Sequence, residues 1–189
     1  MPLNIPNLLT WLRILLIPLF VAILYVPGDW ISERTGNVTA MGIFIAAAIT
    51  DWLDGYLARR LNQISAFGAF LDPVADKLMV AAALIVLVEF GRVDAVVAVI
   101  IIGREITISA LREWMAKIGE GKSVAVSFVG KLKTTAQMVA IPFLLYYNQL
   151  GPIDCRRVGT WLMWIAAVLT LWSMVYYLKM ALPRANMDR

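Results

Sequence analysis

The chain has 189 residues, of which 61% are hydrophobic and 16% charged, with a net charge of +4. Its mean hydropathy of +0.76 excludes an ordinary soluble globular protein and predicts an integral membrane protein. Histidine is absent and Cys155 is the only cysteine. That excludes an internal disulfide, a cysteine metal cluster and any Ser-His-Asp or Cys-His nucleophile, so a general base must be a carboxylate, lysine or tyrosine.

Apolar runs long enough to cross about 30 Å of hydrocarbon fall near 8–26, 38–60, 70–90, 93–114, 130–148 and 158–180. The predicted fold is therefore an all-α bundle of six transmembrane helices, and a single domain over 1–189, because no linker, low-complexity tract or repeat divides the chain. The first run has no basic stretch ahead of it, is interrupted by Arg13 and lacks a small-residue cleavage site, so it is expected to be a retained helix. Pro27-Gly28-Asp29, Gly91-Arg92, Gly119-Glu120-Gly121 and Gly151-Pro152 punctuate the runs. Gly119-Glu120-Gly121-Lys122-Ser123 resembles the end of a phosphate-binding loop, but position 116 is alanine and no strand precedes it, so it reads as a polar connection. The fifth run is the weakest, with Lys131 and Lys133 at its start. In the sixth, Trp161, Trp164, Trp172, Tyr176 and Tyr177 read as lipid-facing or interfacial.

Six crossings put both termini on one side. The connections near 27–37, 91–92 and 149–157 carry Arg34, Arg92, Arg156 and Arg157, four of the seventeen lysines and arginines, and the other thirteen lie opposite. The positive-inside rule makes that richer side cytoplasmic. This bias and anionic headgroups account for the net charge without a nucleic-acid partner.

Two pairs of aspartates, Asp51 with Asp54 and Asp72 with Asp76, stand within 26 positions of this apolar chain. A carboxylate at the centre of a membrane helix costs roughly 2.5–3.5 kcal/mol on insertion scales. Spacings of three and four put each pair on one helix face, and the short turn between Arg60 and Ala69 makes the two helices antiparallel neighbours. Four hard oxygen ligands converging near the cytoplasmic edge predict a site for two divalent cations, Mg2+ or Mn2+, bridging a pyrophosphate. Ion pairing with Arg59, Arg60 and Lys77 is the plainer explanation, but it offers too few partners for four acids. Gly55, Ala58 and Gly68 give a ligand room to approach the backbone, or let helices pack closely, and Arg59 suits an anion.

On the fourth helix, Arg104 lies eight residues before Arg112, nearly on the same face and about 12 Å deeper. A deep arginine is rarely without a role, although pairing with Glu105, Glu113 or an aspartate would also explain it. With Lys131 and Lys133, these cations predict an acceptor that already carries a phosphate, such as glycerol 3-phosphate.

Asp51-x-x-Asp54-Gly55-x-x-Ala58-Arg59, eight residues, then Gly68-x-x-x-Asp72-x-x-x-Asp76 resembles the hallmark of the CDP-alcohol phosphatidyltransferases at all eight fixed positions. Asn4-Ile5-Pro6-Asn7-Leu8-Leu9-Thr10 with Arg13, Gly103-Arg104-Glu105 through Arg112-Glu113-Trp114, and Lys131-Leu132-Lys133-Thr134-Thr135-Ala136-Gln137 are similar to the bacterial branch that makes phosphatidylglycerophosphate. The resemblance implies a six-helix enzyme, a homodimer of the bacterial inner membrane, that moves the phosphatidyl group of CDP-diacylglycerol to an alcohol and releases CMP. By motif position, Asp51, Asp54, Asp72 and Asp76 would ligate the ions, and Asp76 would also act as base. Gly55, Ala58, Arg59 and Gly68, with Asn7 and Thr10, would hold the cytidine diphosphate, and Arg104, Arg112, Lys131 and Lys133 the acceptor phosphate. A carboxylate on a divalent ion loses basicity, so the base role of Asp76 is weaker than its ligand role. Other acceptors on the same fold, inositol phosphate or phosphatidylglycerol, stay open, as does a divalent-cation transporter that would leave the glycines unexplained.

Overall fold

The computed structural model describes residues 5–60, 66–117 and 128–185. Within them the chain forms six helices: α1 Ile5–Leu24, α2 Glu33–Arg60, α3 Ala66–Glu89, α4 Ala95–Lys117, α5 Phe128–Tyr146 and α6 Cys155–Ala185. Each predicted run overlaps one of them, and the runs 8–26, 70–90, 93–114 and 130–148 extend one or two residues past a helix end. At about 1.5 Å per residue, even α5, with 19 residues, is roughly 28 Å long. Two, α2 and α6, each carry a 25-residue stretch apolar enough to cross a bilayer on length and composition alone. The Gly119–Ser123 connection lies outside the described residues.

The helix starts are set by polar side chains that the hydropathy pattern does not register. Ser32 Oγ accepts from the Thr35 amide at 3.2 Å, Asp94 Oδ1 from the Val96 amide at 2.7 Å, and Asp154 Oδ1 from the Arg157 amide at 3.1 Å. Each satisfies an orphan amide in the first turn of α2, α4 or α6. α3 ends where Gly91 adopts φ 64°, with the Arg92 amide on Leu87 O at 2.8 Å and the Gly91 amide on Val88 O at 2.9 Å, a Schellman stop that favours glycine. Between α5 and α6 lies an element the sequence did not suggest, a hairpin of β1 Gln149–Leu150 and β2 Ile153–Asp154. Gly151, at φ 60°, opens its two-residue turn.

The core runs through all six helices, with Phe20, Phe44, Leu84, Ile101, Leu144 and Met163 among its buried members. Helices α5 and α6 approach so closely that a Cβ on Gly159 would lie 2.7 Å from Leu144 Cγ. At the hairpin end, buried Arg92, between α3 and α4, ties α5 to α2: it donates to Leu145 O at 2.9 Å and to Asn37 Oδ1 at 3.0 Å, and lies over the Tyr147 ring. Burial lowers its pKa from the usual arginine value, against the pull of Glu33. Trp161, Trp164, Trp172 and Tyr176 are exposed as expected, whereas Tyr177 is buried under Arg104 rather than facing lipid. The outward apolar surface and buried core together define a helical membrane protein.

Candidate active site

Helices α2 and α3 carry the two aspartate pairs, and α1 lies against both. Arg13, buried on α1, reaches three of the acids: its Nη1 lies 2.9 Å from Asp51 Oδ1 and 2.6 Å from Asp76 Oδ1, and its Nη2 bonds Asp54 Oδ2. One turn earlier, buried Thr10 donates to Asp72 Oδ1. All four acids are thus brought to one place by residues three apart on a single helix face. Asp54 is buried, while the side chains of Asp51 and Asp76 are close to half exposed.

Of the partners that the plainer explanation named for the acids, Arg60 and Lys77 do not pair with them among the described residues. Arg60 stacks over the Tyr56 ring instead, and Lys77 lines the cavity beside Asp76. The side chains of Asn7, Ala58, Arg59 and Lys131 lie outside the described residues. Gly55 has open space beside it, since a Cβ there would meet nothing described within 4 Å. Among the described residues, helix packing therefore does not account for this glycine. Gly68 is buried in the first turn of α3.

Among the described residues, no three acidic side chains close around one point as ligands to a single ion; the Arg13 guanidinium stands between them. The donor set nonetheless suits divalent cations. It consists of hard carboxylate oxygens already gathered around a cation, and one guanidinium does not balance four carboxyl groups.

A cavity of about 280 Å3 opens from the acids toward α4 and α5. Its wall includes Arg13, Asp51, Asp76, Lys77, Glu105 and Gln137. Lys133, buried on α5, donates to Glu105 Oε1. Arg104 is turned partly away: it bonds Ser173 Oγ at 3.2 Å, packs on Tyr177 at 5.7 Å and approaches Glu105 at 3.5 Å. Arg112 is exposed, and Glu113 pairs with Lys117 at 3.0 Å rather than with Arg104. Of the expected acceptor cations, Lys133 and Arg104 thus reach the cavity through its lining residue Glu105, which joins them. The sequence reading overlooked Arg13 as the partner of the acids and gave Glu105 no part beyond pairing with Arg104. A charged residue inside a first apolar run was the available signal for Arg13.

A helical membrane bundle with an acid cluster beside a cation-flanked cavity defines the class. Residues 3–172 match the CDP-alcohol phosphatidyltransferase family, and the chain belongs to that family of transferases. Among its relatives, a protein of Shigella flexneri serotype 5b named CDP-diacylglycerol--glycerol-3-phosphate 3-phosphatidyltransferase is 52% identical over 183 residues, covering 96% of each chain. The protein of the same name from Escherichia coli strain K12 is 51% identical over the same coverage.

Proposed function

We propose that this chain transfers the phosphatidyl group of CDP-diacylglycerol to the primary hydroxyl of sn-glycerol 3-phosphate, giving phosphatidylglycerophosphate and CMP. The observation that carries the reading is the acid cluster opening directly into a cavity flanked by Lys77, Lys133 and Glu105, within a chain about half identical to two relatives that bear that name.

All six helices cross the bilayer, and the acids sit at the cytoplasmic edge of the bacterial inner membrane, where the soluble acceptor and divalent ions reach them. Asp51, Asp54, Asp72 and Asp76 would hold two divalent ions, Mg2+ or Mn2+, which would supply positive charge to stabilise the pyrophosphate as it is cleaved. Arg13 and Thr10 orient the carboxylates from α1. Open space at Gly55 lets the cytidine diphosphate approach the α2 backbone, with Ala58, Arg59, Gly68 and Asn7 completing its site by motif position. Lys133 and Arg112, with Lys131, attract the acceptor phosphate and leave its primary hydroxyl toward Asp76. That carboxylate accepts a hydrogen bond from the hydroxyl and receives its proton as the oxygen attacks the β-phosphorus and CMP departs. The protein works as a homodimer, as the family resemblance implies.

The test is CMP release by purified protein in CDP-diacylglycerol micelles, with a panel of acceptors. Turnover is expected with glycerol 3-phosphate and not with inositol phosphate or phosphatidylglycerol. Divalent-ion uptake into vesicles without CMP release from CDP-diacylglycerol in the presence of any acceptor would overturn the enzyme reading.

A further inference from the structure

Two polar side chains of the cavity wall, Thr134 and Gln137, have no part in the proposed reaction, and Thr134 donates to Gly130 O at 3.0 Å. Gln137 lies on α5 one turn beyond Lys133 and on the same face, about 6 Å further from the cytoplasmic rim. It is 3% exposed and its Oε1 has no hydrogen-bond partner among the described residues. Beside the charged groups already named, the wall carries apolar Phe44, Ala47, Met79, Val80 and Met138. A buried, unsatisfied carboxamide oxygen costs about 1–3 kcal/mol, and native proteins rarely leave one without a ligand or water to meet it. Two cavity-lining residues among those described carry a buried orphan atom. Arg13 Nε is a donor, so Gln137 Oε1 is the acceptor of the pair.

We propose that Gln137 selects the acceptor by taking a hydrogen bond from its secondary hydroxyl. This rests on the glycerol 3-phosphate reading and deepens it. A three-carbon phosphate has three polar points: the phosphate, drawn to the Lys133 side; the primary hydroxyl, beside Asp76; and the hydroxyl between them, whose partner is otherwise missing. A cavity of about 280 Å3 lies below the ~300 Å3 at which sites for drug-sized ligands begin, and so suits a small polyol phosphate. The carboxamide offers a second benefit, since its N–H2 also donates to the same hydroxyl after a half-turn about the last torsion.

The experiment compares sn-glycerol 3-phosphate with 3-hydroxypropyl phosphate, which keeps the phosphate and primary hydroxyl but lacks the secondary one. Wild-type protein is expected to favour glycerol 3-phosphate by about tenfold or more in kcat/KM, the discrimination of one shared hydrogen bond. Gln137→Met, which keeps the shape and removes the polar atoms, should abolish that preference. Its use of 3-hydroxypropyl phosphate and its KM for CDP-diacylglycerol should stay within about twofold of wild type. An equal fall with both acceptors, or an unchanged preference, would overturn the inference. If Gln137→Met does not fold, the wild-type comparison alone decides: equal use of the two acceptors refutes the contact. CMP release with neither acceptor in the wild type would instead refute the acceptor assignment, and the inference with it.

Discussion

Arg13 on α1 donates to Asp76 on α3 at 2.6 Å across 63 positions of sequence, and the same guanidinium holds Asp51 and Asp54 on α2. One buried cation thus joins three helices through their acids. Removing one partner of a buried ion pair leaves charge uncompensated, at about 3–5 kcal/mol for a fully buried pair, and less here because Asp51 and Asp76 are partly exposed. Arg13→Ala is expected to lower the melting temperature of the metal-free protein in detergent. Added Mg2+ should raise the melting temperature of the variant more than that of wild type, because the ions then supply the missing positive charge. Identical Mg2+ stabilisation of both proteins would show that Arg13 and the ions do not share the acids.

Asp51→Asn and Asp72→Asn keep the volume and helix propensity of each site but remove a charge. Both variants should insert and fold normally and lose at least about a hundredfold in CMP release, the scale of removing one electrostatic stabiliser from a transition state. Activity within tenfold of wild type in both would rule out a role for these acids in holding divalent ions.

Lys133 is tied to Glu105, so its substitution acts in two ways: it removes a cation from the acceptor side and strands a carboxylate. Lys133→Ala is expected to raise the KM for glycerol 3-phosphate about tenfold or more, with little change for CDP-diacylglycerol, and exposed Arg112→Ala should do the same more weakly. The double variant Lys133→Ala/Glu105→Gln separates the two effects. Full recovery of the KM would mean that Lys133 only neutralises Glu105, whereas a persistent defect is the outcome expected of a phosphate ligand.

At the α5–α6 contact, a methyl group on Gly159 would meet the Cγ of Leu144 at 2.7 Å and its backbone nitrogen at 3.2 Å. The backbone atom has no rotamer with which to yield. Gly159→Ala should therefore cost about 1–3 kcal/mol through overpacking, seen as a lower thermal midpoint with the KM of both substrates unchanged. A midpoint equal to wild type would mean that the two helices separate without loss.

Much of this protein was legible in one dimension. Hydropathy located six helices because each is a long, predominantly apolar run, a pattern that reads directly from the chain. The aspartate spacing placed each pair of acids on one helix face, because a helix converts intervals of three and four into adjacency without help from the rest of the fold. Helix ends were less legible, since Ser32, Asp94 and Asp154 fix them through single hydrogen bonds that a hydropathy window averages away.

The sequence by itself therefore determined the class of molecule, its helices and the acids at their ends, all properties of local pattern. Only the tertiary structure decided which charge meets which. Arg13 rather than Lys77 or Arg60 holds the aspartates, Glu105 links Lys133 to Arg104, and Tyr177 turns inward to Arg104. Such pairings join residues tens of positions apart. They depend on how helices rotate and cross when the whole core packs, and no interval along the chain encodes that geometry.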